Sequence, residues 1–239
     1  LAMTECSNVM GTLLPVKEMT KMAHKVGTTV LIDGAQGVVH KGVDVVELDC
    51  DFYAFTGHKL YGPSGIGVLY GKTELLDSMP PFKGGGEMIE RVSFSGTTFK
   101  EPPYRFEAGT PPIAQAIGLG SAIKYISELG MKSIIHHEDD LLRYGTERLN
   151  EISGLKIFGN AERKAAIFSF IVNGIHPFDL AAILDREGVA VRVGQHCAEP
   201  LMDRIGVDGT IRASLGLYND FHDIDALAVA IIKAKRILH

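Results

Sequence analysis

Thr56-Gly57-His58-Lys59-Leu60-Tyr61-Gly62-Pro63-Ser64-Gly65-Ile66-Gly67-Val68 joins two apolar runs, Phe52 to Phe55 before it and Ile66 to Tyr70 at its end. Both runs are short, aromatic or β-branched, and bounded by Gly and Pro, which predicts buried strands. The loop between them carries three glycines, one proline and one lysine, Lys59. A lysine there can simply cap the loop and face water, as most lysines do. The surroundings point further: Thr56 and His58 place polar groups beside Lys59, and the glycines let a ligand come close to the backbone.

A lysine amine becomes a covalent catalyst when it condenses with an aldehyde. Enzymes of pyridoxal phosphate (PLP) pair such a lysine with an acid on the ring nitrogen. Asp33 is the candidate acid. In Leu31-Ile32-Asp33-Gly34-Ala35-Gln36 it follows the apolar run Thr29 to Ile32, which places it at the carboxyl end of a strand, where ligands collect in open α/β sheets. An acid and a lysine that each follow a strand outline one cofactor pocket.

The 239 residues, 46% hydrophobic and 22% charged, suffice for one large or two smaller domains. A net charge of −5 leaves no basic footprint for nucleic acid. No apolar run approaches the roughly 18 residues that span a bilayer, and no signal peptide opens the chain, so a soluble, cytoplasmic protein is expected. Cys6, Cys50 and Cys197 are too scattered for a disulfide framework or a zinc site. The nine histidines show no metal-ligand spacing; His136-His137 reads as a solvated pair on a helix, and no structural metal is expected.

Along the chain, Leu1 to Thr4 reads as a strand and Ser7 to Thr12 as a polar turn. Pro15 opens a helix to about Val26, and the strand–helix–strand succession implies a parallel sheet. Gly42 to Leu48 is a short helical turn, Thr73 to Ser78 a helix. Pro80-Pro81 and Gly84-Gly85-Gly86 break all regularity, Val92 to Phe94 is a short strand, and Phe99 to Glu107 is irregular. A long helix covers Ile113 to Leu129, its small residues suited to close packing. A second long helix from Lys132 to about Ile152 puts Glu138, Asp139, Arg143 and Glu147 on a polar face. Beyond it come strands Lys156–Phe158, Ala166–Val172, Val189–Arg192 and Thr210–Ser214, with helices Phe178–Glu187 and Phe221–Leu238. This places a domain boundary near residue 130.

Two further residues bear chemistry. Cys197, in Gly194-Gln195-His196-Cys197-Ala198-Glu199-Pro200, can be a small buried hydrophobe. It can also be a nucleophile, because Arg192 and His196 are able to stabilise a thiolate and a helix start lowers a thiol pKa. Cys50, after Leu48-Asp49, has no basic neighbour and reads as a small buried hydrophobe, as does Cys6. Arg212, before Ala213-Ser214, can make a surface salt bridge or hold a carboxylate in its planar fork.

Five motifs, Asp33-Gly34-Ala35-Gln36, Thr56 to Pro63, Arg105-Phe106-Glu107-Ala108-Gly109-Thr110-Pro111, Arg192 to Ala198 and Arg212-Ala213-Ser214, follow one another across nearly the whole chain. In that order the sequence resembles the group II, Suf/Csd-type cysteine desulfurases, PLP enzymes close to selenocysteine lyases within the class V aminotransferase-like group. The resemblance implies an α/β fold of the PLP-dependent transferase type, fold type I. Residues 1–130 would be the carboxy-terminal portion of a large PLP-binding domain with a mainly parallel sheet. Residues 131–239 would be a small α/β domain carrying the catalytic cysteine.

The implied reaction converts L-cysteine or L-selenocysteine to L-alanine and leaves a persulfide on Cys197 for a sulfur-acceptor protein that feeds iron–sulfur cluster assembly. By the resemblance, Lys59 holds PLP and shuttles the α-proton, Asp33 keeps the ring nitrogen protonated, Gln36 bonds the ring oxygen and Asn8 contacts the hydroxyl side of the ring. Thr56 and His58, with Thr110 from the other subunit of a homodimer, hold the phosphate, and His58 also stacks or relays protons. Arg212, with Arg192, takes the substrate, and the triple-glycine loop reaches the neighbouring subunit. Gln195, where many members have histidine, hints at the Csd-like branch. The family runs longer at its amino end, so this chain resembles the carboxy-terminal part of an enzyme. The alternatives are a selenocysteine lyase, another class V aminotransferase, or a catalytically inactive fragment or sulfur-acceptor module that holds no PLP.

Overall fold

Ala2–Thr4 (β1), Leu31–Asp33 (β2) and Phe52–Thr56 (β3) lie side by side and parallel, and Gly67–Gly71 (β4) adds antiparallel to β3. The computed structural model describes residues 1–238. Val30 and Ile32 are fully buried and Tyr53, the partner of Ile32 across the ladder, is 2% exposed, so one face of the sheet is closed off from water, while Leu31, Phe52 and Ala54 on the other are half-buried. Val16–His24 (α1) connects β1 to β2 and buries Val16, Thr20 and Ala23, spaced along one helical face. Between β2 and β3 run two short helices, Gly37–His40 (α2) and Val45–Leu48 (α3). Asp44 caps α3 by accepting from the amides of Val46 and Glu47.

The amino end of β3 is pinned by Asp51. Its Oδ2 accepts the Val30 amide at 2.7 Å and meets His24 Nε2 at 2.9 Å, while Lys72 Nζ lies 3.2 Å from Oδ1. One largely buried carboxylate thereby ties α1, β2 and the end of β4 together, and leaves the opposite, carboxyl ends of β2 and β3 for other work.

After Thr73–Ser78 (α4), Ile89–Ser93 (β5) and Gly96–Phe99 (β6) form an antiparallel hairpin, where the sequence suggested one short strand, Val92 to Phe94, and irregular chain from Phe99. Only Ile89 and Phe99 are partly buried, so the strands lack the apolar alternation that would reveal them. Ile113–Leu129 (α5) buries just Leu119 and Ile126. Close packing holds for Gly118, where a Cβ would lie 3.2 Å from Pro63, but Gly120 faces nothing within 4 Å. Ile113, Ile117 and Tyr125 stay more than half exposed. All of these elements, residues 40–42 apart, form one compact unit.

The second unit comprises Cys6–Leu14, His40–Gly42 and the chain from Gly130. Its helices are Met131–Asn150 (α6), Pro177–Arg186 (α7), Glu199–Ile205 (α8) and Phe221–Leu238 (α9), and its strands Leu155–Phe158 (β7), Ile167–Val172 (β8), Arg192–Gly194 (β9) and Thr210–Ser214 (β10). The sheet is antiparallel throughout, in the order β7-β8-β10-β9. Phe168, Phe170, Val172, Ile211 and Ala213 pack with Leu141 and Leu149 of α6, Leu180 and Leu184 of α7, and Ile224 and Ile231 of α9. Burying each large side chain contributes about 1.5–3 kcal/mol. Gly145 brings α6 against the sheet, since a Cβ there would sit 2.6 Å from Phe168. The Cys6–Leu14 segment joins this unit through Thr12, bridged to Lys164, and through Cys6, packed on Ala165 and Ile167.

Two expectations fail here. Glu138 is 4% exposed, not on the polar face of α6, because His40 Nδ1 lies 2.7 Å from its Oε2; a partner 98 positions away leaves no local trace. The strand expected over Val189 to Arg192 is an extended approach to β9, whose pairing with β10 begins at Arg192. Val189 and Val191 pack on the core without joining the ladder. No helix of the described residues is long and apolar enough to cross a membrane.

Candidate active site

In the first unit, the carboxyl ends of β2 and β3 carry the sequence-chosen groups. Asp33 pairs in register with Ala54, and β3 runs on through Thr56 into a 3₁₀ turn, Gly57–Lys59. Asp33 is exposed. Its Oδ1 accepts the Ala35 amide at 3.0 Å, which leaves Oδ2 for a ligand. The turn behind it is tightly seated: the Gly34 amide donates to Ala54 at 2.9 Å, and a Cβ on Gly34 would fall 1.9 Å from the Tyr53 ring. Gln36 is half-buried beyond that turn.

The lysine loop is closed by backbone. Gly57 donates to Ile66 at 2.9 Å, while Leu60 and Gly62 both donate to the Gly57 carbonyl. A Cβ on Gly57 would lie 2.7 Å from Ile66, so only glycine fits. Lys59 is half-buried, and its amine makes no ion pair or hydrogen bond among the described residues. Thr56 Oγ1 meets His58 Nδ1 at 2.9 Å, and His58 is exposed. A free amine, an open carboxylate oxygen and a Thr–His pair at neighbouring strand ends fit an aldehyde cofactor with a basic ring nitrogen and an anionic tail.

Thr110 is exposed, just past Gly109, whose amide bonds Gly86 at 2.9 Å. The triple-glycine loop is thus tied to the Thr110 segment of its own chain. Arg105 organises that segment, a role its sequence neighbours did not disclose. Its Nε donates to Lys100, and its Nη1 to Asp77 and Met79, all backbone carbonyls, at 2.8–3.2 Å.

In the second unit, Cys197 is exposed, whereas Cys6 and Cys50 are buried, as small hydrophobes are; burial pushes the Cys50 thiol up. His196 and Cys197 have φ of 54° and 59°. Two successive non-glycine residues in the left-handed region each cost about 1–3 kcal/mol and need the surroundings to hold them. Asn8 does so: its Nδ2 donates to the His196 carbonyl at 2.8 Å. The Asn8 carbonyl in turn accepts Arg212 Nη1 at 2.8 Å. Arg212 lies directly across the β9–β10 ladder from the exposed Arg192. Neither makes an ion pair among the described residues, and the buried Arg212 Nε has no partner. Burial, and then the Arg192 charge, pull the Arg212 guanidinium below its ordinary value. Two unneutralised guanidiniums in a cross-strand pair repel, and a bound carboxylate would relieve them.

His196 does not assist the thiol as a cation. Its Nε2 turns to the Thr210 carbonyl and hydroxyl, 3.0 Å from each. Burial, then the charge of Arg212, lower its pKa, so the ring is neutral at neutral pH. Elsewhere in the unit Lys164 donates to Gly159 at 2.7 Å, and burial brings its amine down to about 8.

Of the residues chosen from sequence, Asp33, Gln36, Thr56, His58 and Lys59 therefore gather at two adjacent strand ends of the first unit. Asn8, Arg192, Cys197 and Arg212 belong to the second. Sequence reasoning missed the Asn8–His196 tie and a buried Glu5–Tyr53 hydrogen bond of 2.5 Å. The second had a signal, a carboxylate ending one apolar segment and a tyrosine within another, since buried polar atoms need partners.

Parallel strands with polar side chains at their carboxyl ends, and a second α/β unit built on an antiparallel sheet, set the class, and the chain belongs to the class V aminotransferase family, whose model matches residues 1–227. Within that family its similarity is to cysteine desulfurases. It is 52% identical over 239 residues to a cysteine desulfurase of Dickeya dadantii, covering 100% of this chain and 58% of that protein. The crystal structure of the cysteine desulfurase CsdA from Escherichia coli superposes with a TM-score of 0.95 at 42% identity, covering 100% of this chain and 59% of that one. A cysteine desulfurase from Thermococcus onnurineus gives a TM-score of 0.94 at 42% identity, covering 98% and 60%. The chain thus spans less than two thirds of these relatives.

Proposed function

We propose that this chain carries the lysine, the cysteine and the carboxylate-binding arginine of a PLP-dependent cysteine desulfurase, which converts L-cysteine to L-alanine and retains the sulfur as a persulfide on Cys197. The observation that carries the reading is the Arg212–Arg192 pair, uncompensated by any acid among the described residues and joined through Asn8 to the loop of the exposed thiol. PLP, when bound, supplies an electron sink for the pair left at the substrate α-carbon.

Lys59 would hold the cofactor aldehyde, and its amine is the base that would accept the substrate α-proton. Asp33, whose Oδ1 accepts the Ala35 amide, would keep a proton on the ring nitrogen. Gln36 would bond the ring oxygen, Asn8 would contact the hydroxyl side, and Thr56 and His58 would hold the phosphate. Arg212, with Arg192, grips the α-carboxylate. The Cys197 thiolate attacks the substrate sulfur. The carbon–sulfur bond breaks, its electron pair stays with carbon and is protonated to a methyl group, and the thiol becomes a persulfide. Atoms and electrons balance without an external oxidant.

Residues 1–130, apart from Cys6–Leu14 and His40–Gly42, which pack with the second unit, serve as the carboxy-terminal portion of the large PLP-binding domain, and 131–239 as the small domain with the catalytic cysteine. The exposed apolar face of α5 supports a homodimer in which Thr110 reaches the partner's cofactor phosphate. The persulfide passes to an acceptor protein for iron–sulfur cluster assembly. The three free cysteines suit the reducing cytoplasm. Purified protein loaded with PLP should release alanine from L-cysteine, and Cys197→Ala should abolish it. Persulfide formation that survives Cys197→Ala would overturn the nucleophile assignment.

A further inference from the structure

Beneath the Asp33 turn lies a buried pair that the chemistry above does not use. Glu5, the residue after β1, has no exposed surface, and its Oε2 accepts a 2.5 Å hydrogen bond from the hydroxyl of Tyr53, which is 2% exposed. A carboxyl group held this far from water carries a large desolvation cost unless it is paired. Burial, then Glu5, hold the Tyr53 pKa far above its ordinary value, so the phenol remains a donor at every working pH.

Both partners touch the turn directly. The Glu5 amide donates to the Asp33 carbonyl at 2.9 Å. A Cβ on Gly34 would fall 1.9 Å from Tyr53 Cζ, and one on Gly37 would fall 2.0 Å from Glu5 Oε2. The glycines before and after Ala35-Gln36 thus rest on the two hydrogen-bonded side chains with no space between. We propose that Glu5 and Tyr53 are positioning residues: their hydrogen bond sets the height and tilt of the Asp33–Gln36 turn, and so aims the Asp33 carboxylate and the Gln36 amide at the cofactor ring. The proposal rests on the reading of Asp33 as the ring-nitrogen acid.

The test compares the full chain with Tyr53→Phe, Glu5→Ala, Glu5→Gln and Asp33→Asn. Tyr53→Phe keeps the ring that packs on Gly34 and removes only the hydroxyl. Hydrogen exchange of the Gly34–Gly37 amides in the PLP-free chain should rise about tenfold in Tyr53→Phe and Glu5→Ala, the factor expected when one buried hydrogen bond is lost. It should stay near the parent value in Glu5→Gln, whose amide oxygen still accepts from Tyr53. With PLP loaded, the pH midpoint of the visible absorbance should move in the first two variants and hold in the third. A bond that merely strengthens the sheet would raise exchange evenly across β1 to β3 and leave the midpoint in place.

Unchanged exchange in Tyr53→Phe, an even rise across the sheet, or a Glu5→Gln variant as perturbed as Glu5→Ala would overturn the proposal. The exchange arm needs no cofactor, so it decides even if loading fails. If Asp33→Asn leaves the absorbance and its pH midpoint unaltered, the reading of Asp33 fails by itself. If Asp33→Asn shifts the midpoint and Tyr53→Phe does not, only the positioning role falls.

Discussion

The lysine loop and the cysteine loop are held in place by opposite means. Around Lys59 the backbone holds itself: Gly57 closes on Ile66, Leu60 and Gly62 close on Gly57, and small residues sit where any side chain would collide. The side chains proposed to act are left unencumbered, Lys59 without a partner among the described residues and Asp33 with one oxygen open. Around Cys197 the backbone is strained at two successive residues, and polar groups distant in sequence hold it, Asn8 for His196 and Arg212 for Asn8. A scaffold built from local geometry is broken by adding atoms; one built from long-range ties is broken by removing them.

The largest effect expected from this contrast is at Gly34. Gly34→Ala drives a methyl into the Tyr53 ring and should cost about 3 kcal/mol or more, the upper range for overpacking, read as a lower denaturant midpoint. An Ala variant as stable as the parent would mean that the Asp33 turn is not seated as described.

Asn8→Ala should cost less, about 0.5–1.5 kcal/mol for one hydrogen bond. Its clearer consequence is local. With the His196 carbonyl released, His196 and Cys197 should leave the left-handed region, and amide exchange at Cys197 and Ala198 should rise while the lysine loop is untouched. Equal changes in both loops would erase the distinction between them.

The smallest effect is a pH dependence confined to the cysteine side. The folded-state pKa of His196 is lowered from about 6.5, so below that pH the unfolded chain binds the proton first and stability falls as pH falls. Above about 6.5 the group is neutral in both states and contributes no slope. His196→Gln should flatten this part of the stability–pH curve, and an unchanged slope would assign it to other groups.

The same contrast explains what the sequence disclosed. The Lys59 loop and the Asp33 turn are local patterns, strand, glycine-rich turn and polar residue, and they could be read from consecutive residues. α5, β10 and α9 are likewise marked by apolar runs in consecutive residues. Arg212 and Cys197 could be nominated by residue type, yet their settings could not be foreseen. The unpaired Arg212 Nε, the Asn8 tie spanning 188 positions and the turn of His196 toward Thr210 arise only when distant segments meet. Glu138 was misplaced for that reason, and the β5–β6 hairpin was half seen because its side chains are nearly all exposed.

The central claim is that one amine, that of Lys59, takes the cofactor. Loading the protein with PLP, reducing it with borohydride to fix the cofactor on its lysine, and locating the modified peptide by mass spectrometry tests this most directly. Lys164 is the natural competitor, a buried amine brought down to about 8. The account expects the pyridoxyl group on Lys59 alone and no fixed cofactor in Lys59→Ala; label on Lys164, or label spread over many lysines with Lys59→Ala unaffected, would contradict it.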